Sequence, residues 1–183
     1  MLFLEWEMIK NGRSKKVAFV SHCIINTNAI AIGPKTPNIW PAIIDEIVDC
    51  LQKNKVSIIQ LPCPEQIYYG LIRGEAAKND IDNPGFRKLC KKIAKETIKS
   101  MEQYIKNDFK IVAFIGRRGS PTCGVKKVHL RKNNKIIEVD GMGILVEEMN
   151  KIIEEKRIKI PLIDFEREER IKFIEELERI IKK

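Results

Sequence analysis

Four short apolar runs alternate along the chain with longer stretches in which apolar residues recur at helical spacing. Residues 17–22 (Val-Ala-Phe-Val-Ser-His), 56–61, 111–116 and 160–164 are bounded by turn residues, as expected of short strands buried on both faces. Between the first two, Ile39, Ile43, Ile44, Ile47, Val48 and Leu51 share one helical face, with Asp45, Glu46 and Asp49 off it. Further helices are expected over 86–107, 143–157 and 166–182. Val125 to Val139 alternates instead around Asn133-Asn134, which predicts a β-hairpin. Strands alternating with helices imply right-handed crossovers and a parallel sheet covered on both faces. The expected fold is therefore α/β: a single three-layer domain over 1–183, with a mostly parallel, flavodoxin/Rossmann-like sheet and an added β-hairpin. Residues 1–15 form an N-terminal extension, and 166–183 carry the C-terminal helix.

Composition agrees with one globular domain, at 44% apolar and 32% charged residues. Glu5 and Glu7 interrupt the apolar start, so no signal peptide is expected, and no segment approaches the roughly 18 apolar residues of a membrane span. The expected compartment is the reducing cytoplasm, where five cysteines point to metal ligands, catalytic thiols or buried hydrophobes rather than disulfides. The net charge of +9 is concentrated: Arg117, Arg118, Lys126, Lys127, Arg131, Lys132 and Lys135 fall in a window without an acidic residue. Such a segment is either a solvated hairpin or a surface for an anionic partner, nucleic acid included.

Three cysteines stand just past predicted strands: Cys23 after the first, Cys63 after the second, and Cys123 in Gly-Ser-Pro-Thr-Cys-Gly after the third. In an open parallel sheet ligands bind outside the carboxyl ends of the strands. A flavodoxin-like order, with the first strand between the second and third, would bring the three loops side by side. Cys50 and Cys90 lie inside predicted helices and are expected to act as small hydrophobes. Three thiolates without a fourth protein ligand suit a catalytic zinc with one open position or a [4Fe–4S] cluster with one free iron, and spacing alone does not choose. Around them, Glu65 in Cys63-Pro-Glu is a proton-transfer candidate or a first-turn carboxylate. Ser120 is a substrate-site hydroxyl or a turn residue. Asn26 and Asn28 are substrate-binding amides or turn residues. His22 is expected to pack away from Cys23 on an extended strand, and His129 to lie on the surface of the hairpin.

Together, Ser-His-Cys23, Cys63-Pro-Glu65 and Gly119-Ser-Pro-Thr-Cys-Gly124 resemble the motifs of the 2-thiouracil desulfidase family, over residues 17 to 165. The resemblance implies a compact α/β domain in which Cys23, Cys63 and Cys123 hold a [4Fe–4S] cluster, Glu65 transfers protons and Ser120 offers a hydroxyl to the substrate. The implied reaction is non-redox removal of sulfur from a small thiolated compound such as a thiopyrimidine. The family's characterised branch carries Leu-Leu-Gly and Arg-Tyr-Asp-Gly after its first cysteine. Here Ile24-Ile-Asn-Thr-Asn28 stands instead, which marks a divergent branch and leaves the natural substrate open. The rival expectations are a zinc-dependent hydrolase using the same cysteines, and a cluster-carrying or RNA-binding module served by the basic segment.

Overall fold

The structure, a computed structural model, describes residues 12–33 and 41–183. Its main sheet holds β1 (Lys16–Val20), β2 (Ser57–Gln60), β3 (Lys110–Arg117) and β6 (Leu162–Phe165), all parallel, in the order β2-β1-β3-β6. This is the expected flavodoxin-like order. The strands are apolar throughout because both faces are covered. Val17, Phe19, Ile111 and Phe114 meet α5 (Pro84–Lys106) and α6 (Ile144–Glu155) on one side. Ala18, Val20, Ala113 and Ile115 meet α2 (Asp45–Lys53) and α7 (Arg170–Lys182) on the other. A register shift between Val17 and Ala18 inserts one extra residue in β3, so Val112 and Ala113 both pack into the second core. Each fully buried large apolar side chain, Phe19 or Phe114 for example, contributes on the order of 1.5–3 kcal/mol.

Several expectations are corrected in detail. The first strand stops at Val20, because Ser21 begins a short helix, α1 (His22–Ile25), followed by a 3₁₀ turn at Thr27–Ala29. The helix after it starts only at Asp45; Ile43 and Ile44 lie in the approach to it, and Ile39 falls outside the described residues. Between β2 and α5 the chain also forms two short helices, α3 (Pro64–Tyr69) and α4 (Lys78–Ile81). Asn83 caps α5, its Oδ1 accepting the Phe86 N–H at 2.9 Å, with Pro84 at the first helical position where its missing N–H costs nothing. The hairpin β4 (Lys127–Lys132) and β5 (Lys135–Asp140) forms as expected but makes its own two-stranded sheet. A backbone bridge between Gly119 and Val128 and the bonds of Arg131 to Asn79 and Asp80 on α4 join it to the rest. Among the described residues no helix is long and apolar enough to cross a membrane.

Candidate functional site

The strand order sets the site. Backbone bonds continue past the central strand, from Ser21 N–H to Ile115 O and from Leu61 N–H to Val20 O, each at 2.9 Å. The ends of β2, β1 and β3 are thereby held level. Cys23 is the second residue of α1, so the backbone turns helically directly before it rather than continuing as a strand. That turn corrects the expectation for His22, which lines the same cavity as Cys23 instead of pointing to the opposite face. Cys63 is the N-cap of α3: its Sγ accepts the Gln66 N–H at 3.4 Å, and Pro64 follows at the first helical position. Cys123 lies in a loop pinned from two sides. Ser120 Oγ accepts the N–H groups of Thr122 and Cys123 at 3.3 and 3.0 Å, and Asp164, at the end of β6, accepts those of Val125 and Lys126 at 2.6 Å each. Gly116 leaves room for this loop, since a Cβ there would meet the Cys123 carbonyl oxygen at 2.3 Å.

All three cysteines are half-buried and line one cavity of about 400 Å³. Burial pushes each thiol above the ordinary cysteine range, Cys63 to about 11, and the thiols raise one another: Cys123 feels both others, and Cys63 feels Cys23. Arg117 beside Cys23 and Arg73 beside Cys63 work in the opposite direction. Were all three ionised together, their charge would need compensation by a cation in the cavity. Cys50 and Cys90 are buried in α2 and α5, outside this cavity, and the Cys90 thiol is pushed up to about 12 by burial in the core.

Glu65 stands in the first turn of α3 and on the cavity wall. Its Oε2 lies 3.3 Å from Arg73 Nε, and the two side chains are only 13% and 9% exposed. Arg73 also donates to the Ala29 carbonyl at 2.7 Å and reaches Cys63 Sγ at 3.8 Å, so one guanidinium ties together the loops after β1 and β2. No spacing rule in the sequence singled out Arg73. Its only local cue is the solitary charge in Gly70-Leu-Ile-Arg-Gly74, an otherwise apolar and glycine-bounded segment. Ser120 lines the cavity as well as forming its turn. Both of its acceptor positions are used by backbone N–H groups, so its hydroxyl interacts with anything further as a donor.

The other expectations fare unevenly. Asn26 joins α1 to the 3₁₀ turn and Asn28 is exposed within that turn; neither lines the cavity. His129 does line it, contrary to its expected place on the surface, because its ring packs over Gly119, 2.8 Å from where a Cβ would stand. Gly119 has φ +76°, a conformation that suits glycine, and this turn carries the hairpin back toward the sheet. The basic segment is largely answered by carboxylates from outside it. Arg118 pairs with Glu138 at 2.7 Å and Glu166 at 2.6 Å, Lys127 with Asp140 at 2.8 Å, Arg131 with Asp80 at 2.8 Å, and Lys126 reaches Glu176 at 4.0 Å.

Two observations bear on what the cavity holds. Among the described residues, the buried side-chain atoms without a hydrogen-bond partner are Ser21 Oγ, His22 Nε2, Gln66 Oε1 and Thr122 Oγ1, each within three residues of one of the three cavity cysteines. Of these residues only His22 lines the cavity, where its Nε2 is open to a polar group; buried orphans of this kind are few in folded proteins. Among the same residues, no three His, Cys, Asp or Glu side chains are gathered so as to hold one metal ion. The thiols thus share a cavity without converging on a single-ion site.

The chain is similar to proteins already known. An uncharacterised protein of Methanocaldococcus jannaschii is 36% identical over 172 residues, covering 93% of this chain and 99% of that protein. A solved structure of a [4Fe–4S]-dependent thiouracil desulfidase, TudS, superposes with a TM-score of 0.48 at 15% identity, covering 80% of this chain and 90% of the other. The sequence profile of the family described as "Putative 2-thiouracil desulfurase" matches residues 15–159, a span that contains all three cavity cysteines, Glu65, Arg73 and Ser120, and the chain therefore belongs to that family.

Proposed function

We propose that the protein is an iron–sulfur-dependent desulfidase that removes sulfur from a small thiolated compound such as a thiopyrimidine, with Cys23, Cys63 and Cys123 holding a [4Fe–4S] cluster. The observation that carries this reading is the convergence of the three cysteines, from the ends of three adjacent strands, on one cavity that Glu65 also lines. Family membership supports the desulfurase chemistry. The cluster reading follows the resemblance of the three cysteine motifs to the desulfidase family; a zinc held by the same three thiolates with one open position is the second reading, and metal analysis separates the two. A cluster spreads its ligands over three irons. It leaves a fourth iron without a protein ligand, which when bound supplies a Lewis acid for a thiocarbonyl sulfur.

The remaining work falls to the chain's own side chains. Overall, the oxygen of one water replaces sulfur on the substrate carbon and the sulfur leaves as hydrogen sulfide, so no electrons change hands. Glu65 takes a proton from the water and returns it, and Arg73 holds its carboxylate in place from the neighbouring loop. Ser120 donates its hydroxyl to the substrate from the Cys123 loop. Walls formed by Ile24, Ile30 and Phe165 present apolar surface to a planar heterocycle. The test is sulfide release: protein purified without oxygen and reconstituted with ferrous iron and sulfide is given 2-thiouracil, 4-thiouracil and related thiopyrimidines. Stoichiometric release of sulfide and the oxo product from at least one of them is expected. A cluster-loaded protein that desulfurises none of them would overturn the reading.

A further inference from the structure

The orphaned side chains beside Cys23 point beyond the ligands themselves. Ser21 occupies the N-cap position of α1, where a serine ordinarily accepts an N–H of the first turn, yet its side chain makes no capping bond. Its hydroxyl is buried, only 1% of the residue being exposed, and the interaction it makes is with the Cys123 thiol, whose ionised form it favours from outside ordinary hydrogen-bond geometry. His22 follows at the first helical position and lines the cavity, with its Nε2 buried and unpartnered. A buried donor left unsatisfied is costly, so an unpartnered ring nitrogen on the cavity wall, next to a serine whose hydroxyl faces a cavity thiol, requires a reason.

We propose that Ser21 and His22 form a hydrogen-bonding shell for the sulfur atoms of the cluster, with Ser21 Oγ and His22 Nε2 as its donors. The inference rests on the proposed cluster and adds residues that hold it without ligating iron. Its logic is electrostatic. A cluster with three thiolates carries negative charge on its sulfurs into a part-buried cavity, and that charge is retained where donors meet it. Hydrogen bonds to cluster sulfurs also stabilise the reduced form, raising the reduction potential. Both residues are positioning groups here, since neither touches the reacting carbon.

The experiment compares the apoprotein and the reconstituted protein for Ser21→Ala and His22→Phe, with Ser21→Thr and His22→Gln as variants that keep a donor. In the apoprotein Ser21→Ala loses only a weak contact to a thiol, so its melting temperature is expected to stay within about 2 °C of the parent, whereas an ordinary structural serine would lower it further when lost. The reconstituted protein is where the variants are expected to separate. Ser21→Ala and His22→Phe are expected to lose iron to a chelator about tenfold faster than the parent. Their one-electron reduction equilibrium should move toward the oxidised form, a tenfold shift being about 59 mV. Thr and Gln at these positions should restore both properties. If the parent binds cluster and the Ala and Phe variants keep its iron-loss rate and potential, this inference is overturned while the cluster reading stands. If the parent takes up no iron and sulfide, both fall together.

Discussion

Replacing Arg73 with methionine keeps most of the side-chain volume while removing the charge that Glu65 faces. The pair is nearly buried, with 9% and 13% side-chain exposure, so solvent cannot take over the role of the lost partner. Removing one member of a buried pair typically costs 3–5 kcal/mol, chiefly because the other charge is stranded. A single contact at 3.3 Å puts this pair at the lower end, about 3 kcal/mol. The 2.7 Å bond from Arg73 to the Ala29 carbonyl adds about 1 kcal/mol. Arg73→Met should therefore cost about 4 kcal/mol, which for a domain of this size lowers the melting temperature by roughly 8–16 °C. Urea denaturation of the apoprotein measures it. The double variant Glu65→Gln/Arg73→Met removes the stranded charge as well, so it should be more stable than the sum of the single changes by about 2–3 kcal/mol. A cost below about 1 kcal/mol for Arg73→Met, or strict additivity in the double variant, would refute the claim that Arg73 holds this carboxylate.

Glu65→Gln should keep iron and sulfide content, since an amide of the same shape removes no ligand, and should lower sulfide release by roughly 10²–10⁴-fold; a near-parental rate would remove Glu65 from the mechanism. Asp164→Asn puts an amide NH₂ where the loop after Cys123 offers only N–H donors, so it should cost about 1–3 kcal/mol and loosen iron retention, measured by denaturation and by chelator challenge. Gly116→Ala would place a methyl 2.3 Å from the Cys123 carbonyl oxygen, and is expected to shift that loop and lower both melting temperature and iron content.

The parts of the fold readable from the sequence were those that depend on local pattern. The four strands carry continuous apolar runs because both faces are covered, and the hairpin announces itself through Asn133-Asn134, which adopt φ of 48° and 60°. The order β2-β1-β3 followed from topology, and with it the convergence of the cysteines. What the pattern missed depends on contacts far apart in the chain. Nothing local distinguishes Ser21 and His22 from two more strand residues; the turn is made where Ser21 hands its N–H to β3. Ile43 and Ile44 continue the apolar face of α2, yet the Ile44 N–H is taken by the Ile24 carbonyl before the helix begins. His129 reaches the cavity only because Gly119 turns the hairpin back, and Arg73 matters only because α3 carries Glu65 to meet it. The seven basic residues of 117–135 looked like unbalanced charge, since most of their partners, such as Asp80, Asp140 and Glu166, lie in other parts of the chain.

The central claim is that Cys23, Cys63 and Cys123 together hold an iron–sulfur cluster, and iron and acid-labile sulfide analysis of anaerobically reconstituted protein tests it most directly. The parent, Cys50→Ala and Cys90→Ala should each bind about four iron and four sulfide per chain, with broad visible absorbance. Cys23→Ser, Cys63→Ser and Cys123→Ser should each lose stable binding, because a hydroxyl is a harder and poorer ligand than a thiolate. A parent that holds neither iron nor sulfide, or a loop variant that retains the full complement while Cys50→Ala or Cys90→Ala loses it, would contradict the account.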